Sequence, residues 1–462
     1  MLPLASFAPA AGAQPAEPGE SPYGPLADAP DAQGLLLPAG FTARVIAVAG
    51  EPVGATDHRW HAFPDGAACF PADDGGWIYA CNSEVTAAHT TEAAGGVGAV
   101  RFDADGEIVD AYPILEGSTA NCAGGPTPWG TWLSCEEALD GKGRVWECDP
   151  TGRDEAVAHL AMGLWRREAA AVDPDGEAVY LTEDEPDGLL YRFTPTAYPA
   201  LDEGRLEAAV VADDGTLTWQ EVPDPSAAER PTRQQVPGAT TFAGGEGIWH
   251  HDGTIVFTTK GDDRVHRIDL AAQTHEVIWD GDPEALGVEG AVLSGVDNIT
   301  VDPESGDLFV AEDGGNLELV VISAEGTVAP FLRIVGEGHE GSEVTGPCFS
   351  PDRTRLYVSS QRGPTPRRLD EIIPASTLTS ANGGITWEIT GPFRTTGPAP
   401  TTSSAANGAG EPGGGDDGVD VVPFVVGGSG SPRSSAAPSP CGGAARCEAD
   451  DALIPSGVCA NE

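Results

Sequence analysis

Acidic side chains and one cysteine recur in this chain at a fixed place relative to a repeated hairpin. The hairpin reads FPADDGGWIYACNSE at 70–84, PTPWGTWLSCEE at 126–137 and VDPDGEAVYLTED at 172–184. It returns as HHDGTIVFTTK at 250–260, VDPESGDLFVAED at 301–313 and FSPDRTRLYVSSQ at 349–361. The starts of the first strands hold Asp65, Cys122, Glu168, Glu246, and Asp297 with Asn298. The ends of the second strands hold Glu84, Glu137, Glu183 with Asp184, Lys260, and Glu312 with Asp313. Singly, each acid is an ordinary solvated loop charge, and Cys122 an ordinary small buried hydrophobe. Their common register is what sets them apart. Brought together, so many carboxylates cannot all stay ionised without compensation. Protonation relieves one or two, and cations are the natural partners of the rest. Carboxylate and amide oxygens suit calcium or magnesium, whereas a thiolate among them calls for a transition metal. The pattern therefore predicts a polynuclear, mixed metal site. Asn121, Gly124 and Gly125 beside Cys122 would let a backbone approach a ligand closely.

The elements that must position these groups follow from the same repeat. Asp-Pro and Asp-Gly turns reverse the chain between β-branched and aromatic runs, which is the signature of a β-hairpin. Copies start about 50 residues apart, except before the fourth, where a Pro-rich excursion fills 195–240. A strand pair recurring at that period marks a propeller blade. Six copies predict an all-β, six-bladed β-propeller, with two stacked sheets as the alternative. In a propeller, the start of the innermost strand and the end of its partner meet at one channel mouth, where the recurrent acids would converge. Trp129, Trp132 and Trp165 read as core or channel wall.

Composition bounds the partners. Among 462 residues, 72 Asp and Glu outnumber 24 Lys and Arg, for a net charge of −48. Such a chain has little with which to neutralise phosphates of nucleic acid or an anionic membrane. Lys142 and Lys260 are its two lysines, so a lysine at the mouth stands out. Nine cysteines cannot all pair within the chain. Cys69 and Cys81, on either side of a turn, are a candidate disulfide, and Cys122 is the candidate free thiol. The stretch MLPLASFAPAAGA resembles the end of a secretory signal without its positive region. No run of 18 apolar residues predicts a membrane-spanning helix. Residues 1–34 thus read as a leader or signal remnant and 35–394 as the propeller. Residues 395–462 read as a Gly/Ser/Pro-rich tail too poor in apolar residues to fold alone.

NCAGGPTPWGTWLSCEE at 121–137 resembles the signature of the PhoX-type alkaline phosphatases. CNSE at 81–84, REAAAVDPDGEAVYLTED at 167–184, GGEGIW at 244–249, VDNITVDPESGDLFVAEDGG at 296–315 and TGPCFSPDRTRLYVSSQ at 345–361 fit it in the same order. The resemblance spans about 45–394. It implies a six-bladed propeller that carries iron (Fe3+) with calcium (Ca2+) and hydrolyses phosphomonoesters outside the cytoplasm. Carried over, Cys122 and Glu137 would be iron ligands and Glu168 and Glu246 metal ligands or bridges. Asp297 and Glu312 would be further ligands, followed by Glu84, Glu183, Asp184 and Asp313. The chain departs from the family at Gly244, where phosphatases tend to carry Arg, at Arg167, where they carry His, and at Ser83. Arg167 and Lys260 are the candidates to restore the missing positive charge, with Lys260 placed to stabilise a phosphate or leaving oxygen. The predicted partner is a small phosphorylated substrate, met by a monomer. Two rivals share the carboxylates without needing Cys122: a calcium-dependent propeller hydrolase of lactones or phosphotriesters, and a secreted module with structural metals.

Overall fold

A computed structural model describes residues 15–281 and 292–395. Six antiparallel sheets follow one another along the chain. Their innermost strands are Pro64–Pro71, Asn121–Pro126, Arg167–Asp173, Gly245–His251, Val296–Val301 and Val344–Phe349. Each of these touches the next, and the sixth touches the first, so the ring is closed as a six-bladed propeller. Helix is confined to Leu369–Ile372 and two short 3-10 turns among the described residues.

Six apolar clusters lie one between each pair of neighbouring blades, and a seventh joins Ala49, Phe63 and Val85 to Leu369 and Ile373. Blades one and two share Phe70, Ala80, Val97, Trp132 and Cys148, and blades five and six share Phe309, Phe331, Leu356 and Trp387. Inner strands flanked on both faces lose the alternation of a half-exposed strand. Arg167–Asp173 and Val296–Val301 are accordingly buried along their whole length.

Ring closure uses chain from both ends of the propeller. Thr42–Val48 pairs antiparallel with Ile385–Thr390 as the outermost strand of blade six. Glu17–Pro18, within the residues read as leader, and Leu35–Leu36 both pair with the outer strand Thr327–Ile334 of blade five. The Pro-rich excursion is part of blade three. Tyr191–Ala197 and Ala200–Val211 form a long hairpin, to which Leu217–Glu221 adds a fifth strand. Beyond its first residue, Thr395, the predicted tail lies outside the described residues.

One local irregularity recurs in every blade. Near the start of each inner strand the register shifts, so that two residues face one on the partner strand. Such bulges re-aim side chains and bend the strand. They fall on Asp65-Gly66, Cys122-Ala123, Glu168-Ala169, Glu246-Gly247 and Asp297-Asn298, and one residue later in blade six, on Gly346-Pro347. Adjacent inner strands are crowded there. A Cβ at Gly66 would lie 2.5 Å from the Ala123 Cα, and one at Gly247 would lie 2.6 Å from the Ile299 nitrogen. Glycine is the residue that allows this approach.

Candidate metal centre

The mouth is built by one hydrogen bond repeated six times. The backbone N–H groups of Glu84, Glu137, Asp184, Lys260, Asp313 and Gln361 donate to the carbonyls of Phe63, Ala120, Arg166, Gly244, Gly295 and Glu343, at 2.7–3.2 Å. Each donor is the first residue past the end of a second strand. Each acceptor lies just ahead of the bulge. The bulge and this clasp together turn one side chain per strand end toward the axis.

The result is a continuous arc of ligand-type groups in four overlapping triads. They are Asp65, Glu84 and Cys122; Cys122, Glu137 and Glu168; Glu168, Glu246 and Asp297; and Asp297, Asp313 and Glu343. Within each triad the ligand atoms lie within 4.8 Å of one another. Cys122, Glu168 and Asp297 each belong to two triads, which is the position of a bridging group. The Cys122 sulfur lies 3.6 Å from Asp65 Oδ2.

Eight carboxyl groups in these triads meet three cationic side chains. Lys260 Nζ stands 3.0 Å from Glu246 Oε1, 3.4 Å from Asp297 Oδ2 and 3.2 Å from Asp313 Oδ2. Arg362 pairs with Glu343 and approaches Glu84 at 3.9 Å. Arg166 pairs with Glu137 and, at 3.0 Å, with Asp184. Gln361 donates from its amide nitrogen to Asp65 and, at 2.9 Å, to Glu84. Negative charge remains in excess. Burial, and then the neighbouring acids, push Asp65, Glu168 and Glu343 well above the ordinary carboxylate range. Burial, followed by Asp65, likewise raises the Cys122 thiol. Buried Oδ1 of Asp65 and Oε1 of Glu168 have no hydrogen-bond partner. An unsatisfied buried oxygen is costly, and a cation would remove that cost.

Eight of the residues singled out in the sequence meet in this arc: Asp65, Glu84, Cys122, Glu137, Glu168, Glu246, Asp297 and Asp313. Asp184 sits at its edge, bonded to Arg166 and Glu137. Lys260 also faces it.

Three others do not reach it. Glu183 and Glu312 are the last residues of their strands and still paired in the ladder, so they point back into the blade. Glu183 accepts from the Tyr191 hydroxyl at 2.7 Å and the Leu189 amide at 3.2 Å, and pairs with Arg233 at 3.1 Å. Glu312 accepts from the amides of Ser294 at 2.9 Å and Glu318 at 3.1 Å. Arg167 is wholly buried. It donates to the carbonyls of Gly143, Met162 and Gly163, and its guanidinium carbon lies 3.4 Å from the centre of the Trp165 ring. It is a strut between blades two and three, not a mouth cation. Arg167→Ala should therefore lower unfolding free energy by about 3 kcal/mol, by stranding three carbonyls and opening a cavity, while KM stays unchanged. Urea unfolding together with steady-state kinetics checks this, and a raised KM at unaltered stability would return Arg167 to the site.

Cys69 and Cys81 are also not bonded to one another. Cys69 faces Tyr79 across the ladder and Cys81 faces Ala67, while Cys69 interacts with the thiol of Cys348 in blade six. Cys122 is free, as expected.

Sequence inspection passed over Arg166, Glu343, Gln361 and Arg362. A signal did exist. Glu343 precedes Gln361 by the same separation that joins Arg166 to Asp184 and Gly295 to Asp313. Extending the register to both residues of the clasp would have found three of the four, Arg166, Glu343 and Gln361.

The family model for alkaline phosphatase PhoX matches residues 82–285 and 273–363. The chain belongs to this family. Among solved structures, it is similar to Pseudomonas fluorescens PhoX in complex with vanadate, a transition state analogue, with a TM-score of 0.61 and 19% identity over 79% of this chain and 97% of that one. That likeness supports the PhoX propeller fold. A Bacteroides thetaiotaomicron protein of unknown function (TM-score 0.46, 9% identity, 76% of each chain) and a Xanthomonas campestris gluconolactonase (0.38, 12%, 82% and 99%) are more distant. No curated protein matches. As a PhoX-family chain, this protein is an alkaline phosphatase-type hydrolase.

Proposed function

We propose that the chain hydrolyses phosphate monoesters at the arc of triads, with Fe3+ and Ca2+ as its ions. The observation that carries this is the place of Cys122, shared by two triads otherwise made of carboxylates. A soft sulfur beside hard oxygens suits iron at the Cys122–Glu137–Glu168 end. The all-oxygen triads from Glu168 to Glu343 suit calcium. The unpartnered oxygens of Asp65 and Glu168 fit such ions. When bound, the ions supply Lewis-acid stabilisation of the charge on a phosphoryl group.

The chain's own groups do the rest. Glu246, Asp297 and Asp313 aim the Lys260 ammonium across the mouth. Burial works against its charge, but those carboxylates outweigh burial and raise its pKa. Lys260 thus stays cationic at alkaline pH and can donate to a phosphate oxygen or to the leaving oxygen. Gln361 holds Asp65 and Glu84 in place from blade six, closing the arc. The enzyme then acts outside the cytoplasm, as a monomer, on small phosphorylated substrates. The net charge of −48 supports a site that takes cations and not nucleic acid.

The test is turnover of p-nitrophenyl phosphate at alkaline pH together with elemental analysis. Wild type should be active and contain iron and calcium. Cys122→Ser should lose iron and activity but keep calcium, and Cys69→Ser should keep all three. A metal-loaded wild type that is inert on a broad panel of phosphate monoesters would refute the proposal, as would iron retained at full occupancy in Cys122→Ser.

A further inference from the structure

Lys260 serves the part of the arc between blades four and five, and Arg362 the part between six and one. The part that contains the Cys122–Glu137–Glu168 triad has a different cation, Arg166. Its Nη2 pairs with Glu137 and with Asp184 Oδ2 at 3.0 Å, and its Nη1 donates to the Asp184 carbonyl at 3.1 Å. Its Nε is buried without an acceptor. Yet the side chain is 30% exposed, whereas its neighbour Arg167 is sealed in the blade. A ligand entering the mouth can reach Arg166 and cannot reach Arg167.

The clasp places Arg166 exactly where blade four has Gly244: the two carbonyls receive the amides of Asp184 and Lys260. Gly244 offers no side chain, and a Cβ built there would stand 3.3 Å from Asp184 Oδ1. Asp184 therefore lies between the guanidinium and bare backbone, so Arg166 supplies the guanidinium for that stretch of rim. A guanidinium presents paired N–H donors that match two oxygens of a phosphate, and it keeps its charge at alkaline pH. Its present partner Glu137 is one of the triad ligands. Once Glu137 is engaged by a cation, the guanidinium has donors to give to another anion.

We infer that Arg166 is a substrate-binding residue that grips the phosphate group of the ester at the Cys122 end of the arc, an assignment that rests on the phosphatase activity proposed above. The test compares wild type with Arg166→Ala and Arg166→Lys by kcat, KM, inhibition by inorganic phosphate, and metal content. Arg166→Ala should raise KM and the phosphate inhibition constant about 10- to 100-fold, the range for losing a charge-assisted bidentate pair. Metal content should not change, and added guanidinium ion should restore part of the loss. Arg166→Lys keeps the charge without the fork and should fall between, and it carries the test if the alanine variant does not fold. Unchanged KM and phosphate inhibition in both variants would overturn the inference. So would loss of metal that guanidinium does not reverse, because Arg166 would then only brace Glu137 and Asp184. A wild type that neither binds phosphate nor turns over esters would instead overturn the phosphatase proposal, which separates the two failures.

Discussion

Glu168→Gln is expected to lower kcat/KM by more than about 100-fold, beyond what loss of a residue that only supports a metal ligand costs. Glu168 belongs to two triads, and its Oε1 is buried with no hydrogen-bond partner. Burial, then Glu246 and Glu137, already hold its pKa well above the usual range. The amide has the same shape but no charge, so it is a poor ligand and a harmless core residue. The same substitution should act in the opposite direction on the metal-free protein. Removing one of several crowded acids relieves repulsion, so the chelated variant should melt no lower than chelated wild type. Glu183→Gln is the useful comparison, because Glu183 lies one residue before Asp184 but points into blade three. It should leave metal content intact. Near-wild-type turnover with full metal content in Glu168→Gln would remove the shared carboxylate from the mechanism.

The metal-free protein should lose stability as pH rises. Burial raises Glu183 from the ordinary glutamate value of 4.5 to about 7 and Glu312 from the same value to about 8. The acids of the arc move in the same direction. A raised carboxyl pKa means that the folded chain binds protons the unfolded chain has released, so stability falls as pH increases. For these two glutamates the contribution is fully present below about pH 4.5 and declines through pH 7 and 8. The total should be on the order of a few kcal/mol. Chelated protein should therefore melt at a lower temperature at pH 8 than at pH 5, with calcium restoring the loss because ligands that bind only the folded state stabilise it. Thermal melts across pH, with and without chelator, check this. A chelated protein whose melting temperature rises between pH 5 and 8 would show that the acids of the mouth are not under the strain described.

Much of this was legible in the residues themselves. Hairpins with Asp-Pro and Asp-Gly turns, repeated six times, determine a six-bladed propeller because each copy needs its neighbours to bury both faces. The same repeat determines that strand starts and ends converge, and so which types of group meet at the mouth. The choice between adjacent candidates was left to tertiary structure. Glu183 and Asp184, Glu312 and Asp313, and Arg166 and Arg167 differ by one position, and in a strand one position reverses the face. Where the ladder stops and where the bulge begins decide which of each pair turns inward. Those points are set by pairing with the next strand and by contact with the next blade. Gly66 can lie against Ala123, and Gly247 against Ile299, only in the closed ring. Closure itself depends on Thr42–Val48 joining Ile385–Thr390 from the far end of the propeller. Sequence alone could name every acid of the arc but Glu343, whereas only packing around the axis could say which way each one faces.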